Sequence, residues 1–213
     1  MENINYAPLT PLEMGYKYLF KHNLPLASIL SQEDYEKFFA KFGEVDYNFY
    51  KDHVAWALQS PAQMFEDFMV EKGWDVSIMH YPRYLPYYTH THKYFEIYYV
   101  RKGPVSQIIN DVEVPLEPGD ILIMAPSTKH KFSIMNDFGE VYMIGIRTST
   151  FSTTFSALMQ QNELLSDFFL KELFKTSSIS YLILHADNDD KIFHVIREMI
   201  EEEKKISKYL QMT

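Results

Sequence analysis

Apolar positions along this chain change period twice. Up to Gly73 they recur at helical spacing and are bracketed by helix start and stop signals. Thr10-Pro11-Leu12-Glu13 combines a capping box with proline at the first helical position. Ser31-Gln32-Glu33-Asp34 predicts a second start, with Gly43 as its stop. Ser60-Pro61-Ala62-Gln63 predicts a third, ahead of MFEDFMVEKG, where Gly73 suits a left-handed C-terminal turn. From Trp74 to about Arg147 the pattern becomes a series of short runs: DVSIMHY, YFEIYYV, VSQIIN, VEVPL, DILIMA, KFSIM and VYMIGI. Val, Ile, Tyr and Phe dominate these runs, turn residues separate them, and Asn110-Asp111 sits where a tight hairpin turn belongs. Many short strands at even spacing predict a sandwich or barrel rather than alternating βα units.

After Phe151 the helical period returns in STTFSALMQQNELLSDFFLKELF, and SYLILHAD then reads as one more strand that could rejoin the barrel. Asp187 or Asn188 can cap a last helix in which Ile192, Met199 and Ile206 recur every seven residues. That stripe either lies on the barrel or forms a two-helix seam. The expected organisation is therefore a helical arm over 1–73, a barrel over 74–187 with a helical insertion at about 151–175, and a C-terminal dimerisation or linker helix over 188–213.

Composition narrows the function. A formal charge of −9, with no clustered basic run, makes the chain by itself a poor ligand for nucleic acid, which is bound mainly by Lys and Arg. The absence of cysteine removes disulfides, thiolate metal sites and cysteine nucleophiles. No signal-like N-terminus or membrane-length apolar run occurs, so the expected location is cytoplasmic with no membrane partner. Seven tyrosines fall between Tyr81 and Tyr99; they either fill a core or wall a pocket for a sugar or aromatic ligand.

The candidate chemistry lies in His90-Thr91-His92-Lys93-Tyr94-Phe95-Glu96. On a strand His90 and His92 leave the same face, and Glu96 keeps that parity. His130 follows the strand opened by Gly119-Asp120. Three imidazoles and one carboxylate converging inside a barrel would suit Zn, Ni, Fe, Mn or Cu; alternatively they hydrogen-bond an organic ligand or each other. His22, His53, His80, His185 and His194 lack motif partners. Arg83 and Arg147 could reach the pocket to grip a carboxylate or hydroxyl group, although surface positions are the simpler expectation.

The spacing H-x-H, three residues, E, six residues, G, with His130 eleven residues after Gly119, resembles the two motifs of the cupin superfamily. Two positions depart from those motifs. Tyr84 stands where the first motif places glycine, and Ser127-Thr128 follow Pro126 where the second has P-x-G. The run HTHKYFEIYYVRKG…INDVEVPLEPGDILIMAPSTKHKF is similar to the N-terminal sensing domain of AraC-type transcription regulators, as is the helix–strand–helix after it.

The resemblance implies a mainly β cupin double-stranded β-helix, or jelly-roll barrel, flanked by helices. It also implies a non-enzymatic role. A small-molecule effector, such as a sugar, would contact His90, His92, Glu96, Tyr98 and His130, and the C-terminal helix would form a homodimer. DNA would be reached only through a C-terminal domain missing from this chain, which is expected to be a truncated regulator. The alternative is a metal-dependent dioxygenase or isomerase in which His90, His92, Glu96 and His130 hold Zn, Ni, Fe or Mn.

Overall fold

The computed structural model describes residues 7–22, 31–39, 62–85, 89–153, 165, 167–169, 179–186 and 189–210. In chain order the elements are α1 (Pro11–Lys21), α2 (Gln32–Phe39), β1 (Gln63–Met64), α3 (Glu66–Met69), β2 (Val76–His80), β3 (Thr91–His92) and β4 (Phe95–Lys102). They continue with β5 (Val105–Ile109), β6 (Val112–Leu116), β7 (Asp120–Met124), β8 (His130–Ser133), β9 (Glu140–Ile146), α4 (Thr148–Thr153), β10 (Tyr181–His185) and α5 (Asp190–Leu210). Every strand expected from the apolar runs is present. SYLILHAD does return to the barrel, since β10 pairs antiparallel with β7.

A five-stranded sheet, ordered β10-β7-β4-β9-β2, faces a three-stranded sheet, ordered β6-β5-β8. Between them Tyr98, Val100, Leu122, Met124, Val141 and Met143 of the large sheet meet Val105, Ile109, Val114, Leu116 and Phe132 of the small one. This is the expected jelly-roll arrangement. The large sheet is covered on its other face too: Phe95, Tyr99, Ile123, Tyr142 and Ile144 pack with Phe168, Phe169 and Ile196. Double coverage explains why β4, β7 and β9 read as nearly continuous apolar runs, whereas β5 alternates in from one residue to the next. Asn110 and Asp111 both take positive φ, 49° and 66°, in the two-residue β5–β6 turn, which suits residues that tolerate the left-handed region.

The stripe on α5 has a use within the chain. Ile192, Phe193, Met199 and Ile200 pack against the outer face of the large sheet beside the buried Ile196. Glu203 adds polar attachment by accepting from Ser77 Oγ at 2.9 Å and from the Ile78 backbone N–H at 3.2 Å. Of the residues expected in that stripe, the Ile206 side chain lies outside the described residues.

The helical arm differs in part from its expectation. Thr10 and Glu13 form the capping box of α1 as expected: Thr10 N donates to Glu13 Oε2 at 2.7 Å, and Glu13 N to Thr10 Oγ1 at 3.3 Å. The second helix is present, while its expected stop, Gly43, lies outside the described residues. The third helix is reduced to the single turn of α3. Gln63 and Met64 instead form β1, parallel to β3, because the exposed backbone edge of Thr91-His92 offers hydrogen bonds that local helix propensity cannot match. Gly73 has a positive φ of 93°, but it does so in the turn before β2 rather than as a helix cap.

Arg83 corrects the expectation of a surface or ligand-gripping residue, because it is buried and joins α1 to the barrel. Its Nε and Nη2 donate to Glu13 Oε1 and Oε2 at 2.8 and 2.9 Å. Nη1 reaches the carbonyls of Ala7 and Asp137, and Nη2 that of Pro8. Arg147 likewise donates to the Trp74 and Val70 carbonyls and pairs with Asp67 at 2.7 Å. Neither arginine serves the histidine cluster.

Burial opposes ionisation of Glu13, but hydrogen bonds from Arg83 and Thr10 and the guanidinium charge overcome it, so the carboxyl titrates below its ordinary value. Its stabilising contribution is therefore present above the unfolded-state pKa and is lost as pH falls through the depressed folded value. Glu13→Gln leaves the guanidinium buried with half its pairing and is expected to cost about 3–5 kcal/mol at neutral pH. Urea denaturation of both proteins checks this, and the difference should shrink on acidification.

Candidate functional site

The expected site residues come together at one end of the barrel interior. His92 closes β3, Glu96 and Tyr98 lie on β4, and His130 opens β8. A backbone bridge between His90 and His130, with N–H···O distances of 3.0 Å both ways, joins the two histidine-bearing segments across the sheets. Underneath, β1 holds β3 in place: Thr91 N donates to the Ala62 carbonyl and Lys93 N to that of Met64. The chain bends at Lys93-Tyr94 without losing parity, so His90, His92, Glu96 and Tyr98 all turn inward. His92 is 0 % exposed, His130 1 %, Glu96 2 % and His90 9 %, which makes His90 the member nearest solvent.

Glu96 is the hub. Its Oε2 lies 3.3 Å from His92 Nε2 and 3.3 Å from His130 Nε2, and it accepts from the Tyr98 hydroxyl at 2.9 Å. The other ring nitrogens are already committed: His92 Nδ1 meets the Tyr94 carbonyl at 2.5 Å and His130 Nδ1 that of Thr128 at 3.1 Å. A carbonyl can only accept, so both Nδ1 atoms carry protons. In the neutral rings that leaves a bare lone pair on each Nε2, aimed at the carboxylate. Neither Nε2 has a hydrogen-bond partner among the described residues.

The charge states sharpen the conflict. Burial holds His92 below its ordinary pKa and so favours the neutral ring. Burial also pushes Glu96 upward, but the positive charge that His92, His130 and His90 carry when protonated outweighs it and draws the carboxyl well below the usual range. Tyr98 stays protonated, raised by burial and by the neighbouring carboxylate. Protonating one imidazole would serve one of the two Nε2 atoms. Protonating both would set two buried cations side by side, with ring centroids 5.0 Å apart.

A cation beside the carboxylate would take up ring lone pairs and offset its charge. Ligand atoms about 2.0–2.1 Å from a tetrahedral ion stand about 3.3 Å from one another, the separation Glu96 Oε2 makes with each Nε2. His90, Glu96 and His130 also offer one donor atom each, all within 4.8 Å of one another. The Nδ1-to-carbonyl bonds are the outer contacts that metal-ligating histidines commonly make. The donor set of imidazole nitrogen and carboxylate oxygen suits Zn, Fe, Ni or Mn. His90, Glu96 and His130 could therefore hold such an ion, with His92 Nε2 beside the same carboxylate.

Other sequence candidates lie elsewhere. His22 stacks on Tyr18, His185 Nδ1 contacts Asp120 Oδ1 at 2.6 Å, His194 pairs with Glu198, and His53 is outside the described residues. The tyrosines divide by strand parity. Tyr98 reaches the site, Tyr81 packs on Phe132 inside the barrel, and Tyr99 belongs to the outer core. A groove of about 570 Å³ lies on the outward face of the small sheet, along Ser106, Ile108, Glu113, Pro115 and Lys131, away from the histidines. Sequence reasoning missed β1 as the support of β3. It also missed Gln107, whose polar side chain at an inward position of V-S-Q-I-I was a readable signal.

Residues 78–145 match the family model described as Cupin domain, a segment that contains all four candidate ligands, and the barrel has the cupin fold. No curated protein matches the chain. Among solved structures, the EutQ protein of Clostridium difficile is 22 % identical over 34 % of this chain and 55 % of its own, with a TM-score of 0.28. ToxT from Vibrio cholerae is 10 % identical over 60 % of this chain and 48 % of its own, at 0.37. A cupin protein from Bacteroides fragilis is 28 % identical over 34 % of this chain and 64 % of its own, at 0.27. This chain thus spans about half to two-thirds of those proteins. At TM-scores this low they add nothing to the fold assignment, which rests on the family match and the barrel itself.

Glu96→Gln offers a separating test. The amide can donate to one bare Nε2, so the metal-free variant is expected to be at least as stable as the parent. Zinc affinity should fall by at least about 100-fold, since a charged ligand has been removed. Thermal melts with chelator and competitive zinc titration measure the two effects.

Proposed function

We propose that this chain is the small-molecule-sensing domain of an AraC-type transcription regulator, with a metal at His90, His92, Glu96 and His130 as part of its ligand site. The observation that carries the reading is the two-sided role of β4. Its inward residues Glu96 and Tyr98 belong to the site. Its outward residues Phe95 and Tyr99 belong to the apolar cluster that also holds Ile196 of α5. Arg101, on the same strand, lies over the Phe193 ring at 4.5 Å and pairs with Asp190 at 3.1 Å, both on α5. A shift of β4 caused by a bound effector would therefore be felt directly by the C-terminal helix. Only differential affinity for two positions of that strand could produce such a shift.

When bound, a divalent transition metal would supply a Lewis-acidic anchor for an oxygen-bearing effector. Tyr98 would hold the Glu96 carboxylate in orientation, and the Tyr94 and Thr128 carbonyls would hold the rings of His92 and His130. The regulator's DNA-binding part would lie outside this chain. A homodimer through α5 would have to use the helix face left by sheet packing, where Val195 is 53 % exposed, because Ile192, Ile196 and Met199 are already covered. The second reading, a metal-dependent cupin enzyme, is favoured by the convergence of the His90, Glu96 and His130 donors.

Elemental analysis of protein purified without added metal, beside His92→Ala, tests the site: a stoichiometric metal is expected in the parent and not in the variant. Hydrogen exchange in α5, before and after zinc loading, separates the two readings. Slower exchange in α5 supports the sensor. A filled site with unchanged α5 leaves the enzyme as the better account.

A further inference from the structure

Gln107 projects into the barrel from the middle of β5 and is 1 % exposed, yet neither Oε1 nor Nε2 of its amide has a hydrogen-bond partner among the described residues. Buried polar groups are almost always paired, and an unpaired one weakens the fold. A valine, isoleucine or leucine at this position would match its inward neighbours Val105 and Ile109 on the same strand. The amide is therefore held in an apolar interior at a cost that packing does not explain.

Its position points to the metal-site end of the barrel. Gln107 stands opposite Phe132 on β8, and the next inward pair along the same ladder is Ile109 opposite His130. His130 is thus the diagonal neighbour of Gln107, within reach of a long side chain. The Phe132 ring packs on that of Tyr98, with centroids 4.8 Å apart, and Tyr98 in turn donates to Glu96. Tyr81 packs on Phe132 from another side, again at 4.8 Å. Aromatic rings thus occupy the interior around the amide, so any partner sharing that space is small.

We infer that the Gln107 amide is the second anchor of the effector site: it hydrogen-bonds a small molecule with a hydroxyl next to a second oxygen, an α-hydroxy acid or a vicinal diol, held at the metal site. This rests on the metal-site reading proposed above. An amide offers one donor and one acceptor side by side, and it is complemented by a group that presents an acceptor and a donor on adjacent atoms. A carboxylate–hydroxyl pair and a diol both do so. The hydroxy acid is favoured, because a divalent ion beside the single carboxylate of Glu96 leaves a net positive site.

Gln107→Met keeps the side-chain length and removes both polar atoms. Metal-free Gln107→Met is expected to melt a few degrees above the parent, since the unpaired amide is gone. Zinc affinity should stay within about twofold, while glycolate binding to the zinc-loaded protein should weaken by about tenfold or more, the loss of one or two hydrogen bonds. Calorimetric titration with glycolate, and separately with ethylene glycol, distinguishes acid from diol. Three results would overturn the inference: no gain in metal-free stability, equal glycolate binding by parent and variant, or no binding of either probe to the zinc-loaded parent. Absence of zinc binding would instead refute the metal-site reading, and the stability comparison would still decide Gln107. Should the methionine variant fail to fold, Gln107→Leu carries the same comparison.

Discussion

A carboxylate withdrawn from water needs compensation, and the barrel is arranged around that need at Glu96. The charge sits 2 % exposed between two imidazoles that have already given their Nδ1 protons to backbone carbonyls. Among the described residues, Tyr98 donates to it outright. The strands that bring these groups together come from both sheets and from the β1–β3 ribbon, so the site exists only when the whole barrel has closed. A cation at His90, Glu96 and His130 could meet that need, because it would accept ring lone pairs and neutralise the carboxylate.

Compare the two buried carboxylates. Glu13 is fully compensated by Arg83, which presents a planar fork to both its oxygens. That pair is a fastener: it ties α1 and the strand-flanking carbonyls together and leaves nothing for a ligand to do. Among the described residues Glu96 meets no guanidinium or ammonium, and its imidazole neighbours are acceptors as readily as donors. The contrast separates a structural acid from one left open to chemistry, using the same physical accounting for both.

Much of this was legible in the sequence, and for identifiable reasons. Strand parity placed His90, His92 and Glu96 on one face, and β-rich runs with turn residues located every strand from β2 to β10 except the two-residue β3. The capping box at Thr10 and Glu13 is local and was read directly. Long-range features were not legible. Helix propensity in MFEDFMVEKG gave way to the unpaired edge of β3, and no local signal marks Arg83 as the partner of a residue in α1. The doubly covered large sheet also hid the fate of the α5 stripe, since an apolar seam reads the same whether it meets a sheet or another helix. Gln107 was visible as a polar interruption at an inward position, but its meaning depends on burial that periodicity alone does not reveal.

The β1–β3 ladder is two residues long, whereas β4 and β9 pair over seven positions in the same barrel. The other side of the same segment makes up for so short a ladder: His90 bridges His130 in both directions, and Ser127 N–H donates to the His92 carbonyl. His92 stands on that ladder. The imidazoles therefore ride on a segment laced to both neighbours, so displacing them means breaking backbone bonds on two sides at once.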